Sequence, residues 1–278
     1  MTDTVPESLI QDVANILNGF DIPFLMIGAR ARIFAFDQPF NIQGRATRDW
    51  DFAIRLDEWS GYEALIQAMT EGDDARFRKT TIHHRLIHQS TEIEVDIVPF
   101  GNISDSQQLI QWPQDNNTMS VLGLEEAWAN AEVEEIAGIQ MRLPPLPVIV
   151  ALKLLAWNER REEKDLDDVV TILQNYQNDE RVFAELTDEM IAGVVEMAAI
   201  AIVLIGRDIQ QLFQNSPALD EVRAIVETLI KEQNQHFPRF IASGDEIWDD
   251  AFDLLVQQFQ ALRYGLVEAD CGEVPTDE

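Results

Sequence analysis

The chain has 278 residues, enough for one large or two ordinary domains, and its 46% hydrophobic and 25% charged content excludes a disordered chain. A net charge of -30 excludes a broad electrostatic grip on nucleic acid, so a polyanionic substrate would need a local basic patch. The negative charge is concentrated after residue 100, where eleven Lys and Arg are outnumbered by thirty-four Asp and Glu.

Three features of the sequence predict a cytoplasmic protein with no membrane partner. The first seventeen residues lack the basic stretch and apolar core of a secretory signal. The longest apolar run, Met197 to Gly206, is about half as long as a membrane-spanning helix requires. Cys271 is the single cysteine, so we expect neither an internal disulfide nor a cysteine-based zinc site.

The first elements in the chain are a helix and a short strand. Apolar residues at three- and four-residue spacing predict a helix over residues 6–19. Residues 23–27 form an apolar run of strand length that ends at Gly28, where a second helix is predicted to begin. Because a helix N-terminus presents free backbone N-H groups, this junction could meet a phosphate.

Residues 45–54 carry the pattern on which the predicted site depends. From Asp49 onward acidic residues alternate with apolar ones, which is typical of a half-buried strand. Successive strand side chains point to opposite faces, so Asp49 and Asp51 would stand together on one face. Two carboxylates this close repel unless a cation lies between them, so the pair is a candidate divalent-metal site. The alternative is a solvated strand face, which is the commoner origin of so short a motif.

A third carboxylate follows in the next strands. After a predicted helix at residues 63–69, residues 77–89 and 92–100 are predicted to form two neighbouring strands. Asp96 would project from the second strand, whose other face is aliphatic. Two Mg²⁺ ions about 3.5–4 Å apart need shared ligands from several directions, and Asp96 could complete such a site. The alternative is an edge-strand charge.

The same strands carry most of the histidines and a cluster of basic residues. His84 and His88 have the spacing of a helical zinc pair, but they lie in a strand-like segment. We therefore interpret His83, His84 and His88 as polar hairpin residues. The concentrated basic patch of the chain consists of Arg76, Arg78, Lys79 and Arg85.

The second half of the chain is predicted to be mostly helical. A loop is predicted over residues 105–120, and prolines interrupt the chain at residues 144–147. Helices are predicted at residues 122–131, 148–157, 188–205, 207–213, 219–233 and 251–264, with another that begins near Asp165.

Lys153 is a charged residue in the otherwise apolar helix at residues 148–157. A buried ammonium needs an anion, or its pKa falls. The anion could be a phosphate, or Lys153 could form a structural ion pair with Asp165 or Asp168, which share one helix face.

The order and spacing of these motifs resemble those of the DNA polymerase β-like nucleotidyltransferase superfamily. The matching motifs are Gly28-Ala29, Arg45-x-Thr47-x-Asp49-x-Asp51, and Asp96 within residues 93–98. Lys153, then Arg160 or Arg161, and Lys164-Asp165-x-x-Asp168 resemble more narrowly the AbiEii/AbiGii-type toxin nucleotidyltransferases. Ala29 departs from the pattern, because the superfamily has Gly or Ser there and some members use the serine hydroxyl.

The resemblance implies an enzyme that moves an NMP from an NTP to a hydroxyl acceptor and releases pyrophosphate. Two Mg²⁺ ions would be bound by Asp49, Asp51 and Asp96, and Asp165 would assist near the same cleft. The nucleotide would be held by Gly28, Ala29, Arg30, Arg32, Arg45, Thr47 and Lys153.

The sequence thus predicts an α+β fold with a nucleotidyltransferase-like domain at residues 1–143, built on a mixed sheet with flanking helices. A helical domain at residues 144–278 would contribute Lys153 and Asp165 to the cleft. The acceptor stays open between RNA, such as a tRNA end, a protein and a small molecule, and an antitoxin is a possible partner. One alternative is a catalytically silent binding or regulatory protein with the same fold. Another is a Ca²⁺- or Mg²⁺-binding protein without nucleotide chemistry.

Overall fold

The computed structural model describes residues 5–45, 47–241 and 248–267, and Cys271 lies outside these ranges. The chain divides into two compact units, Met1–Pro145 and Leu146–Glu278. No helix in the described ranges is long and apolar enough to cross a membrane.

The first unit combines helices with a mixed sheet. Its helices in the described ranges are α1 (Glu7–Gly19), α2 (Gly28–Arg32), α3 (Trp59–Thr70) and α4 (Leu124–Ala129), and a π-helical turn, Ile33–Asp37, continues α2. Its strands are β1 (Phe24–Ile27), β2 (Trp50–Arg55), β3 (Phe77–Lys79), β4 (Arg85–His88), β5 (Ile93–Phe100), β6 (Leu109–Gln111), β7 (Thr118–Ser120), β8 (Glu132–Ile136) and β9 (Ile139–Leu143).

Five of these strands form the main sheet, in the order β1-β2-β5-β4-β3. The central pair β2 and β5 is parallel, and the other neighbouring pairs are antiparallel. Trp50 and Phe52 of β2 lie opposite Val95 and Ile97 of β5, and all four side chains are fully buried. The predicted alternation is confirmed within these two strands, where Asp51 and Asp96 lie on the face opposite the buried one, whereas Asp49 precedes β2.

The sheet differs from the sequence prediction at two places. The segment at residues 77–89 is not one strand but the hairpin β3–β4, because the Thr80 hydroxyl accepts a hydrogen bond from the Ile82 N-H and donates one to the Arg85 carbonyl. The strand predicted over residues 45–54 begins only at Trp50. Side chains of α2 bind the carbonyls of Arg45 and Thr47, so these carbonyls are engaged outside the sheet.

Two short hairpins and one histidine were also missed. The predicted loop at residues 105–120 contains the pair β6–β7, and β8–β9 follows α4. His88 is not a polar surface residue of the hairpin but is buried. Its ring hydrogen-bonds to the Thr91 hydroxyl at 2.8 Å and to the Asp12 carboxylate of α1 at 3.0 Å, so it ties the first helix to the sheet.

The second unit is helical. Its helices in the described ranges are α5 (Leu146–Arg160), α6 (Glu163–Asn175), α7 (Asp179–Glu185), α8 (Thr187–Ala192), α9 (Ile200–Leu212), α10 (Pro217–Lys231), α11 (Gln233–His236) and α12 (Trp248–Val267), with 3₁₀ turns at Met197–Ala199 and Pro238–Phe240. The helix predicted over residues 188–205 is broken, because Gly193 adopts φ +64° and ends α8. The core of the unit includes α9 packed on α12, where a Cβ on Gly206 would lie 2.9 Å from the Gly265 Cα.

Candidate active site

Two of the predicted metal ligands lie side by side on the central strands of the sheet. Asp51 of β2 and Asp96 of β5 are paired in the parallel register, so their side chains leave the same face of the sheet. Asp51 also lies opposite Ile27, the last residue of β1. The next residue, Gly28, adopts φ +70°, and a Cβ on it would collide with the Asp51 carboxylate. Glycine is therefore required both by its backbone conformation and by the carboxylate beside it.

Asp49 lies just before β2 and is oriented by a neighbour. The Thr47 hydroxyl donates a hydrogen bond to the Asp49 carboxylate. The Thr47 carbonyl in turn accepts a hydrogen bond of 2.7 Å from Arg30, whose guanidinium lies over the Trp50 ring at 4.7 Å. The segment before β2 is thus fixed by α2 on one side and by the sheet core on the other.

Arg32 attaches the same segment to α2 at a second point. Its side chain is fully buried and forms an ion pair of 3.0 Å with Asp37 and a hydrogen bond of 3.0 Å to the Arg45 carbonyl. A Cβ on Gly44 would collide with the Arg32 guanidinium. The phosphate-binding role of Arg30, Arg32 and Arg45 stays a prediction. The structure shows that Arg30 and Arg32 hold the segment that leads into Asp49 and Asp51.

The Asp96 carboxylate is held by Arg85 of the neighbouring strand β4. Arg85 donates from Nε to Oδ1 and from Nη2 to Oδ2 of Asp96, each at 2.8 Å, and its Nη1 lies 2.9 Å from Glu94. The hydrogen bonds to Asp96 raise the pKa of Arg85, with the charges of Asp96, Glu94 and Asp49 adding to them, although burial acts the other way. Asp96, Glu94 and Asp49 therefore all act on this guanidinium.

Tyr62 of α3 is a residue near Asp96 that the sequence interpretation missed. Its hydroxyl donates to the Ile97 carbonyl at 3.2 Å, and the side chain is buried. Burial and, secondarily, the Asp96 charge raise the pKa of Tyr62, so the phenol stays protonated at neutral pH. No periodic signal connects α3 with β5, so only the packed structure reveals this neighbour.

The chemistry of the three acids suits a hard divalent cation, which prefers carboxylate oxygens. In the described ranges, no group of three or more His, Cys, Asp or Glu is arranged to hold a metal ion. Both Asp96 oxygens bind Arg85, and Asp49 binds Thr47. The absence of a side chain on Gly28 leaves room for the Asp51 carboxylate, which pairs in register with Asp96, and the two-magnesium site stays a prediction.

Lys153 and Asp165 lie in the second unit, where they belong to one ion-pair network. The buried ammonium of Lys153 lies 2.7 Å from Asp168 and 3.2 Å from Asp165, so the structural ion pair named as an alternative is formed. Arg160 adds two hydrogen bonds of 2.7 Å to Asp165. Burial alone would raise the pKa of Asp165, but the hydrogen bond from Arg160 and the charge of Lys153 hold it below its ordinary value. Phosphate binding by Lys153 stays a prediction.

Comparison with known protein families adds the identity of the chain. The family model described as "Nucleotidyl transferase AbiEii toxin, Type IV TA system" matches residues 40–258. The chain belongs to the AbiEii nucleotidyltransferase family. The resemblance inferred from the motifs is confirmed, and so is the assignment of the chain as a transferase enzyme. A comparison with curated protein sequences finds no match.

Several solved structures are similar to this AbiEii member at low identity. An antigenic nucleotidyltransferase-like protein from Paracoccidioides brasiliensis aligns with a TM-score of 0.44 and 14% identity, over 91% of this chain and 92% of that one. The antibiotic-resistance factor ANT(2'')-Ia gives 0.39 and 14%, over 69% and 96%. A Thermotoga maritima CCA-adding enzyme complexed with tRNA gives 0.29 and 13%, over 98% and 61%. The family assignment rests on the sequence match.

Proposed function

We propose that this AbiEii-family chain transfers an NMP from an NTP to a hydroxyl acceptor in the cytoplasm, in a reaction that depends on two Mg²⁺ ions and releases pyrophosphate. The observation that carries the proposal is the pairing of Asp51 with Asp96 in register on parallel strands, directly beside Gly28. When bound, the ions would supply charge neutralisation at the triphosphate and activation of the acceptor hydroxyl.

The residues of the first unit divide the remaining work. Asp49, Asp51 and Asp96 would hold the metal ions, and the Thr47 hydroxyl keeps the Asp49 carboxylate oriented. Backbone N-H groups at Gly28 and Ala29 would donate to the triphosphate, since they begin a helix beside the acids. Arg30 and Arg32 fix the segment before β2, and catalysis by positioning depends on such rigidity.

The proposal retains the roles predicted for two residues of the second unit. Lys153 would neutralise part of the triphosphate charge, and Asp165 would orient Lys153, which it contacts at 3.2 Å. An Asp168→Asn variant tests this role, because it removes one counter-charge of Lys153 without touching the ammonium. Tighter NTP binding would support the role, and unchanged NTP binding in a folded variant would contradict it.

The acceptor is proposed to be a group that needs only a small contact area, such as an RNA end, a protein side chain or a small molecule. The net charge of -30 opposes an extended polyanion. The basic patch predicted on the hairpin is also largely compensated, because Arg78 pairs with Glu92, Lys79 with Glu71, and Arg85 with Asp96. Family membership supports a toxin role with an antitoxin as partner.

One specific observation favours a catalytically silent protein as the second candidate. Asp96 is already paired with Arg85, so one of the three acids is compensated without a metal. A silent protein would bind nucleotide, or nothing, without turnover.

The test compares NTPs labelled at the α- or γ-phosphate, incubated with the protein and with total RNA, protein extract or metabolites. NMP transfer puts the α-label on the acceptor and the γ-label in pyrophosphate, whereas a kinase would put the γ-label on the acceptor and leave the α-label in the nucleoside diphosphate. We expect Asp51→Asn to lower turnover by about a hundredfold or more. Asp57→Asn is the matched control, since Asp57 lies just after β2 and contacts Asn102. Absence of transfer by the wild type, or full activity of Asp51→Asn, contradicts the proposal.

A further inference from the structure

We propose that Arg85 is a displaceable counter-ion, which occupies the Asp96 carboxylate until a metal ion takes it and thereby sets the metal affinity of the site. The inference rests on the proposed function, because it takes Asp96 as a metal ligand. It adds a role for a residue that lies outside the predicted ligand set.

Arg85 and Asp96 form a well-defined bidentate ion pair. Arg85 and Asp96 lie directly opposite each other in the antiparallel register of β4 and β5. Two parallel hydrogen bonds of 2.8 Å join the guanidinium to both carboxylate oxygens, which is the strong bidentate form of this ion pair. A metal that binds the same oxygens has to compete with these two hydrogen bonds.

The surroundings of Arg85 allow the exchange. Its side chain is 26% exposed, compared with 10% for Asp96, so the guanidinium has a route towards solvent. Nη1 is already 2.9 Å from Glu94, whose side chain is 50% exposed. Glu94 can therefore keep Arg85 near the site after Asp96 has been released to a metal.

Charge, and not pH, is expected to control the exchange. Arginine stays protonated throughout the accessible pH range, so it can leave Asp96 only by competition. The charged and titratable groups near the pair are Asp51, which is in register with Asp96, Glu94 on β5 and Asp49 before β2. His84, in the turn before β4, has its Nε2 3.7 Å from Asp96. A divalent ion brings a larger charge than Arg85 to the same acids, and an NTP adds phosphates that can pair with the released guanidinium.

The neighbouring basic residues of the hairpin provide a matched control. Arg78 lies on β3 and pairs with Glu92, and both side chains are more than half exposed. Arg78 has the same side-chain chemistry and lies in the same hairpin, but its partner is not a predicted metal ligand. An effect specific to Arg85 therefore comes from its position beside the predicted metal ligands, and the Asp96→Asn variant shows whether it depends on Asp96.

The experiment titrates Mn²⁺ into the full chain without nucleotide and follows free Mn²⁺ by electron paramagnetic resonance. Arg85→Ala should bind Mn²⁺ about tenfold more tightly than wild type, because it removes one positive charge beside the site. Arg78→Ala should match wild type. Arg85→Lys keeps the charge but loses the bidentate contact, so it should bind Mn²⁺ about threefold more tightly than wild type. This variant replaces Arg85→Ala as the test if Arg85→Ala does not fold.

The outcomes separate this inference from the proposed function. If Asp51→Asn and Asp96→Asn both abolish Mn²⁺ binding while Arg85→Ala and Arg85→Lys bind no more tightly than wild type, the counter-ion role is wrong and the metal site stands. If wild type and both Asp variants bind Mn²⁺ equally, the metal site itself is wrong, and the inference falls with it. Tighter binding by the Arg85 variants that Asp96→Asn removes supports both.

Discussion

One ion pair from each unit illustrates two opposite settings for a charge. In the first unit, Arg85 and Asp96 lie at a partly open sheet face, with 26% and 10% of their side chains exposed. In the second unit, Lys153 and its partners Asp165 and Asp168 are almost completely buried. A charge that water can reach can exchange its partner, whereas a buried charge without a partner is costly. The comparison separates an ion pair that water can reach from one whose separation would leave charges almost completely buried.

The largest expected effect comes from breaking the buried network. Lys153→Met leaves the carboxylates of Asp165 and Asp168 without their shared ammonium, so the free energy of unfolding should fall by about 3–5 kcal/mol. Urea denaturation measures the change. Lys164→Met is the control, because Lys164 forms an exposed pair with Glu162 and should cost at most about 1 kcal/mol. Equal losses in the two variants would remove the distinction between the settings.

A side chain added at Gly28, beside Asp51, should lower activity more than stability. Gly28→Ala forces a side chain into the Asp51 carboxylate, so turnover should fall by about a hundredfold if Asp51 positions the reacting groups. Gly72→Ala is the control, since Gly72 also has positive φ, at +93°, but no atom lies within 4 Å of its added Cβ. Both variants carry the backbone strain, about 1 kcal/mol, and only the first should lose transfer activity. Similar activity losses would assign the effect to strain.

Acid should weaken the buried network through Asp165. Its pKa is below the ordinary value in the folded chain, so it stabilises the fold above the unfolded-state pKa of about 3.9. That contribution is lost as pH falls through the lower folded-state pKa. Denaturation series from pH 6 to pH 2 should therefore show a shallower loss of stability for Asp165→Asn than for wild type. Parallel curves for the two proteins would show that Asp165 is not the titrating group.

The smallest effect is expected for the exposed ion pair between Arg78 and Glu92. Arg78→Ala removes a surface pair with Glu92 and should change the free energy of unfolding by about 0–1 kcal/mol. Thermal unfolding at low and high salt measures it, and added salt should shrink even this difference. A loss as large as that of Lys153→Met would mean that exposure does not govern these pairs.

The sequence predicts the acidic face because the evidence for it is local. Alternation around Asp49, Asp51 and Asp96 is a period-two signal, and the structure confirms the burial of the intervening Trp50 and Phe52. The partners of these acids depend on strand register, which no local pattern encodes. Arg85 reaches Asp96 only because the chain turns back after Lys79.

Other differences have similar physical causes. Arg30 and Arg32 look like phosphate ligands in the sequence, yet each donates a hydrogen bond to a backbone carbonyl that becomes its neighbour only in the folded unit. The strand β8 escaped prediction because four of its five residues are exposed and three are glutamates, so it lacks the alternating apolar pattern. For Lys153 the sequence left both a phosphate and a structural ion pair open, because a buried ammonium needs an anion but its burial does not identify that anion.

The parallel pairing of β2 with β5 has a consequence for how the chain matures. Asp51 and Asp96 belong to strands separated by a helix and a complete hairpin, so their meeting is a long-range event that costs loop-closure entropy. On a ribosome, the acidic pair cannot assemble before residue 100 has been synthesised and has left the exit tunnel. An unfinished chain that ends within the hairpin β3–β4 therefore lacks Asp96, and with it the carboxylate pair on which the proposed transfer depends.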